Sequence, residues 1–192
     1  MNRDSYVYTI VFTFVLTALF ATLLAVTQAY FLPAITQNEI TVERKAILKV
    51  LGIPEDALAS FDEQVVPALA SDLNIYATLD AEGEPVGYAF PLNGQGLWGS
   101  IRGFIGISAE FDRLLGMEFI EQNETPGLGG RIDEAWFKEQ FAGVPLLPGQ
   151  EIVYGDGLDS ITGATSSSNA VLGILNDTVS QVMTEHKEVL AQ

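Results

Sequence analysis

The 192-residue chain carries 25 acidic against 9 basic side chains, a formal charge of −16, and no cysteine. So acidic a surface repels nucleic acid and anionic lipid and suits a basic partner. The missing thiols exclude disulfides, cysteine-ligated iron–sulfur clusters and thioether-attached haem, so any cofactor is held by other chemistry and any such cluster in an electron path belongs to a partner.

Residues Tyr6 to Leu32 contain no charged side chain, a run of 27, long enough to cross a bilayer with some tilt. Ala25, Ala29 and Ala34 offer a small-residue cleavage pattern, but the run exceeds the roughly 7–15 residues of a signal-peptide core and Arg3 is answered by Asp4, so a retained anchor is expected. Tyr6, Tyr8 and Tyr30 fit aromatic residues at the two interfaces. Beyond it there is room for one soluble domain of about 160 residues with a full core. Arg3 lies before the span and Arg44, Lys45 and Lys49 after it; on charge alone the C-terminal domain is not assigned to the outside.

Pro33 is expected to end the span. Ile40, Ile47, Val50 and Leu51 then recur at near-helical spacing, predicting an amphipathic helix closed by Gly52, packed on the domain or lying on the membrane. Pro54 to Ala70 reads as an irregular second helix. Asn74–Leu79 and Glu84–Phe90 read as strands around a turn at Asp80–Gly83. Gly94 to Ser108 is rich in glycine, suiting tight strand corners. Leu114–Glu121 is the next strand. Glu124-Thr125-Pro126-Gly127-Leu128-Gly129 is a rigid turn in which proline holds Thr125 extended, read as a surface turn or a ligand clamp.

Ile132 to Phe141 predicts a helix capped by Asp133, with Trp136 and Phe141 as core anchors. Pro145 and Pro148 mark a loop before a strand at Glu151–Tyr154. The chain then enters Asp159-Ser160-Ile161-Thr162-Gly163-Ala164-Thr165-Ser166-Ser167-Ser168, where five hydroxyls fall within the seven positions from Thr162. Glycine and alanine clear space beside Thr165, and unpaired amides at a helix start attract carboxylate or phosphate. The residues alone allow a plain capped turn or such a site. Val171, Leu172, Leu175, Val179, Val182 and Met183 form a helical stripe after it, and His186 reads as an exposed or capping side chain.

Asp159-x-x-Thr162-Gly163-Ala164-Thr165, with Ser167 after it, resembles the flavinylation motif of the FMN-binding subunit family, whose members serve Na+-translocating NADH:quinone reductases and the related Rnf electron transport complexes. The resemblance implies covalent FMN on Thr165 through a phosphoester, installed by a separate Mg2+-requiring transferase with FAD as donor, because a threonine oxygen is a poor nucleophile unaided. It makes Thr162, Gly163, Ala164 and Ser166 cofactor-side residues. Asp159 either orders the turn through its own carboxylate or helps hold Mg2+ and the donor; Thr162 reads as structural. Gly96-Leu97-Trp98 resembles the family's glycine-leucine-tryptophan segment, with Trp98 either in the core or near the flavin. The ETPGLG segment is its second signature and implies Glu124, Thr125, Gly127, Leu128 and Gly129 at the flavin site. Gln122 stands where many relatives have histidine, keeping a hydrogen bond but no titration near neutrality.

From the resemblance follow one transmembrane helix and an α+β FMN-binding domain of antiparallel strands and packed helices. Its segments are a short cytoplasmic 1–5, a span 6–32, a helical linker 33–72 and an extracytoplasmic domain 73–192. The implied role is an electron carrier in an ion-translocating complex, working with other membrane and redox subunits and with no metal or catalytic residue of its own. GQGLW points to the quinone-reductase branch and the short length to Rnf. Alternatives are a free-standing membrane flavoprotein with an extracytoplasmic acceptor, or a non-redox acidic interaction module.

Overall fold

The computed structural model describes residues 6–68, 74–155 and 157–190. The expected cytoplasmic 1–5 segment, the end of the 54–70 helix and the 72/73 boundary fall outside these residues. The chain forms two units, Met1–Thr41 and Val42–Gln192.

Residues 6–41 of the first unit are part of a single helix, α1 (Tyr6–Val50), with Pro33 inside it. The expected stop at Pro33 is therefore corrected. Proline removes one intrahelical hydrogen bond, a local loss of about 3 kcal/mol, and helix-forming residues on both sides carry the ladder past it. An 18-residue window reaches a mean hydropathy of 2.4, making α1 the one helix among the described residues long and apolar enough to cross a membrane. Thr22 and Thr27 donate their hydroxyls to the carbonyls of Ala18 and Leu23, each at 2.8 Å. Neither hydroxyl is left to seek water, as an apolar surrounding demands.

The second unit begins with the last turns of α1. The N–H of Gly52 donates to Lys49 O and that of Ile53 to Leu48 O, and Gly52 takes a φ of 72°. This paired closure satisfies the last carbonyls through a left-handed glycine, as expected. A 3₁₀ turn (Glu55–Ser60) and a short α2 (Phe61–Gln64) follow, then β1 (Val65–Pro67), a strand that the helical reading of this stretch missed. The sheet continues with β2 (Tyr76–Leu79), β3 (Pro85–Gln95), β4 (Ser100–Ser108) and β5 (Leu114–Glu121). All pair antiparallel in the order β1-β2-β3-β4-β5.

Both faces of the two central strands are covered, so they read as near-continuous apolar runs rather than alternating ones. On one face Ala46, Ile47, Leu48 and Val50 of α1 pack with Phe61, Val65, Ala89 and Phe104. Cross-strand partners Ala89, Gly106 and Gly116 form a row of small residues there, and a Cβ on Gly106 would lie 2.0 Å from Val50 O. The helix end thus sits directly on backbone, and Ala46, Ile47, Leu48, Val50 and Leu51 are buried in the domain.

On the other face Tyr88, Phe90, Leu92, Ile101, Ile105 and Ile107 meet α4 (Thr165–Gln181) through Val171, Ile174, Leu175 and, beyond it, Val182. The stripe is as expected except that Ile174 also belongs to it. A π-helical turn (Val182–His186) leads to α5 (Lys187–Leu190). There His186 stacks on Phe90 with ring centroids 6.0 Å apart, neither capping nor fully exposed.

Between β5 and α4 lie a 3₁₀ turn (Gly129–Asp133) and α3 (Ala135–Glu139). Asp133 does not cap α3. Glu134 occupies that position, while Asp133 accepts from the buried Lys138, which also donates to Glu118. Phe141 is buried as expected, but Trp136 is 41% exposed, its indole donating to Glu134 and its ring facing the Arg131 guanidinium. Glu151–Tyr154 is not a strand. Asn176 takes the place of a neighbouring strand, its amide accepting from Ile152 N and donating to Ile152 O, both at 2.9 Å.

Candidate functional site

Three segments far apart in sequence meet at one buried carboxylate. Glu124 is 4% exposed. Its Oε1 accepts the backbone N–H of Leu97 at 2.7 Å and of Trp98 at 3.1 Å, and its Oε2 accepts the Ser167 hydroxyl at 2.5 Å. The glycines make room: a Cβ on Gly96 would lie 2.4 Å from Glu124 Oε1, and one on Gly129 would lie 2.3 Å from Ser167 Oγ. Close approach thus requires glycine at both positions. Gln122 accepts the Glu124 N–H at 2.8 Å through Oε1, a use of the glutamine that needs no titration.

Around this buried point the surface is apolar and open. Leu97, Trp98 and Leu128 are 55%, 70% and 53% exposed, so the reading of Trp98 as a core residue is corrected. The turn between β3 and β4 is only four residues, closed by Gly96 N–H to Gly99 O at 2.7 Å, and its side chains point away from the sheet. Thr125 and Gly127 are also exposed. The N–H of Leu128 donates to Thr125 O around Gly127 at a φ of 75°, a type II arrangement with proline second and glycine third.

The Thr165 segment is built the same way. Ala164 N–H donates to Ile161 O at 2.9 Å across Gly163 at a φ of 83°, so Thr162 and Gly163 are the exposed corners of a turn. Ala164 holds the N-cap position of α4 and makes no side-chain cap. The expected hydroxyl cap is thus replaced. Ser168 Oγ accepts Ile161 N–H at 3.0 Å and donates to Ala164 O at 3.1 Å, tying the turn to the helix from inside. Thr165 and Ser166 face solvent in the first turn of α4 while Ser167 and Ser168 are buried. The first such bond is from Ser168 N–H to Ala164 O at 3.0 Å, so the amides of Thr165, Ser166 and Ser167 precede the helical ladder and carry the positive end of the helix dipole.

Asp159 does not order the turn through its own carboxylate, which accepts no hydrogen bond among the described residues. Instead the amide of Gln140 accepts Asp159 N–H at 2.7 Å and donates to Asp159 O at 3.0 Å. The Asp159 side chain is left exposed.

Residues 96–180 match the model of a family described as FMN-binding domain. All three segments lie within that match. Over those residues the chain is similar to the FMN-binding domain family. It is 36% identical over 107 residues to the G subunit of the ion-translocating oxidoreductase complex of Methanosarcina acetivorans, a match covering 56% of this chain and 57% of that one. With the C subunit of the Na+-translocating NADH-quinone reductase of Neisseria meningitidis it shares 30% over 131 residues, 62% of this chain and 49% of the other. The chain thus spans about half the length of these curated relatives. The crystal structure of the C subunit of the Na+-translocating NADH-quinone reductase from Parabacteroides distasonis superposes with a TM-score of 0.60 at 24% identity, covering 77% of this chain and 92% of that one. That likeness confirms the fold, an antiparallel sheet with packed helices.

This convergence depends on residues to which motif reading gave no role. Ser167 and Ser168 hide in a run of hydroxyls, and only helical spacing from Thr165 separates inward from outward positions. Gln140, Asn176 and Tyr154 carry no sequence signal, since each acts on backbone far away in the chain. Tyr154 donates its phenol to Ser168 O at 2.7 Å, and burial pushes the group from its ordinary 10 up to about 12.

The neutral phenol is favoured in the folded state, so its contribution to stability is complete below pH 10 and is lost as pH rises from there to about 12. Tyr154→Phe is therefore expected to flatten the fall in stability across that range, measured by denaturant melts at successive pH values. An unchanged slope would count against this burial.

Proposed function

We propose that the chain is the membrane-anchored, FMN-bearing electron carrier of an ion-translocating oxidoreductase complex, with the flavin joined through its phosphate to Thr165 Oγ1. One observation carries the reading: the three segments 96–98, 124–129 and 159–168 converge on Glu124 and leave a single solvent-facing threonine on the first turn of a long helix. A phosphate diester at that point meets unpaired helix amides and the favourable dipole end. Gly163 has no atom within 4 Å of where a Cβ would stand, and the same holds for Gly127, so a bulky group meets no side chain there. Exposed Leu97, Trp98 and Leu128 supply apolar surface for a planar ring, and Thr162, Ala164 and Ser166 border the ester.

Bound FMN supplies one- or two-electron transfer, while the protein positions it and tunes its surroundings. In maturation the Thr165 oxygen bonds to the flavin-side phosphorus of FAD and the pyrophosphate bond breaks. AMP departs, and the hydroxyl proton passes to the Mg2+-requiring transferase. Asp159, pinned by Gln140 with its carboxylate free, is available to that enzyme. The apolar part of α1 anchors the chain, and the domain lies on the extracytoplasmic side. Electrons come from and go to the other redox subunits of the complex, of the quinone-reductase or the Rnf kind.

Intact mass of the chain purified from its own membranes, with mapping of the peptide from Asp159 to Lys187, tests this reading. The expected result is an addition of one FMN less one water on Thr165. An unmodified threonine from cells that flavinylate other proteins would overturn it.

A further inference from the structure

Sequence resemblance puts Glu124 among residues that face the cofactor, but its carboxylate is buried and both its oxygens accept hydrogen bonds from the protein. A carboxylate has only acceptors to offer, and Glu124 meets three donors from two other segments: the amides of Leu97 and Trp98 on the β3–β4 turn, and the hydroxyl of Ser167 on α4. No basic side chain pairs with it among the described residues. Gly96 and Gly129 are both small enough to let these groups close on it, and Gln122 fixes its own backbone.

We propose that Glu124 is a positioning residue, an internal clasp that holds the Leu97–Trp98 turn against the first turn of α4 in the unmodified chain, so that the apolar surface and Thr165 stand in fixed relation before flavin arrives. The consequence for loading rests on Thr165 being the attachment residue; the clasp does not. Its physical basis is cost asymmetry. Removing Glu124 leaves two amides and a hydroxyl without partners in a partly dry place, and each unmet donor is costly. Ordering by the clasp also lowers the entropy lost when a ligand must be gripped from both sides.

Amide exchange of the unmodified full chain in detergent tests the clasp, comparing Glu124→Ala, Glu124→Gln and Ser167→Ala. Glu124→Ala is expected to speed exchange at Leu97 and Trp98 about tenfold or more, the loss of one buried hydrogen bond or more. Ser167→Ala is expected to speed exchange at the same two amides, although it lies in another segment, because it frees one oxygen of the clasp. Phe90 and Leu92, inside β3, keep their protection. Glu124→Gln keeps an acceptor for both amides and a donor for Ser167 Oγ, so it restores most of the protection lost in Glu124→Ala.

Flavin loading at Thr165 is expected to slow in the same rank order. Exchange at Leu97 and Trp98 that is untouched by Ser167→Ala, or equally fast in Glu124→Gln and Glu124→Ala, overturns the proposal. Should Glu124→Ala unfold the domain, Ser167→Ala and Glu124→Gln against the parent chain still decide it. A parent chain that never carries flavin would overturn the attachment reading and leave the exchange result standing.

Discussion

Thr165→Val is expected to remove covalent flavin from the chain completely while leaving the domain folded. Thr165 is exposed and its hydroxyl makes no hydrogen bond among the described residues, so an isosteric replacement in the first turn should change stability by no more than about 0.5 kcal/mol. The neighbouring hydroxyls do not stand in for it. Ser167 is committed to Glu124 and Ser168 to Ile161 and Ala164, and both are buried. Ser166 is exposed but lies about 100° further round the helix, so it presents its oxygen in another direction.

Thr165→Ser, which keeps an oxygen at the same position, is expected to retain loading, more slowly because the hydroxyl samples more rotamers without the branching methyl. Peptide mass and a thermal melt of each variant are the measurements. Full loading of Thr165→Val would move the ester elsewhere, with Ser166 the first place to look.

The largest expected effect on stability lies away from the site, at Gly106→Ala. A Cβ there would stand 2.0 Å from Val50 O and 2.8 Å from its carbonyl carbon. Both atoms are backbone, and they belong to the closed end of α1, which cannot rotate aside as a side chain can. Ala46, Ile47, Leu48 and Val50 would have to lift off the sheet together. Overpacking against backbone is expected to cost about 3 kcal/mol, lowering Tm by roughly 10 °C for a domain of this size.

Gly173→Ala supplies the contrast. Gly173 lies within α4 with nothing within 4 Å of its added Cβ, so the same chemical change is expected to stabilise by about 0.5–1 kcal/mol through helix propensity. Melts of the two variants side by side would separate a steric effect from a general effect of adding a methyl group. A tolerated Gly106→Ala would mean that the end of α1 does not rest on β4 as closely as described.

How far the sequence reading reached followed the range of the interaction involved. The apolar span, the helix closure at Gly52, the hairpin strands and α4 are specified by neighbours a few residues apart, and local pattern found each of them. The same patterns failed where a distant partner decided the outcome. Val65–Pro67 became a strand because β2 offers an edge. Glu151–Tyr154 has strand-like residues, yet its backbone bonds go to the amide of Asn176. Pro33 is a helix breaker in isolation but sits inside a helix long enough on both sides to carry the loss of one bond. Trp98 and Trp136 look like core by type, and both lie at the surface because the elements bearing them turn those faces outward.

At the site the division is sharper. The motifs alone marked the segments that meet at Glu124 and the threonine that starts α4, since glycine positions, a proline turn and helical spacing are local properties. Tertiary structure alone decided what Glu124 does. Whether a carboxylate faces a ligand or turns inward depends on where its donors come from, and these come from residues 27 positions before it and 43 after it. A buried carboxylate must find partners wherever the fold brings them, and no spacing within its own motif records that choice.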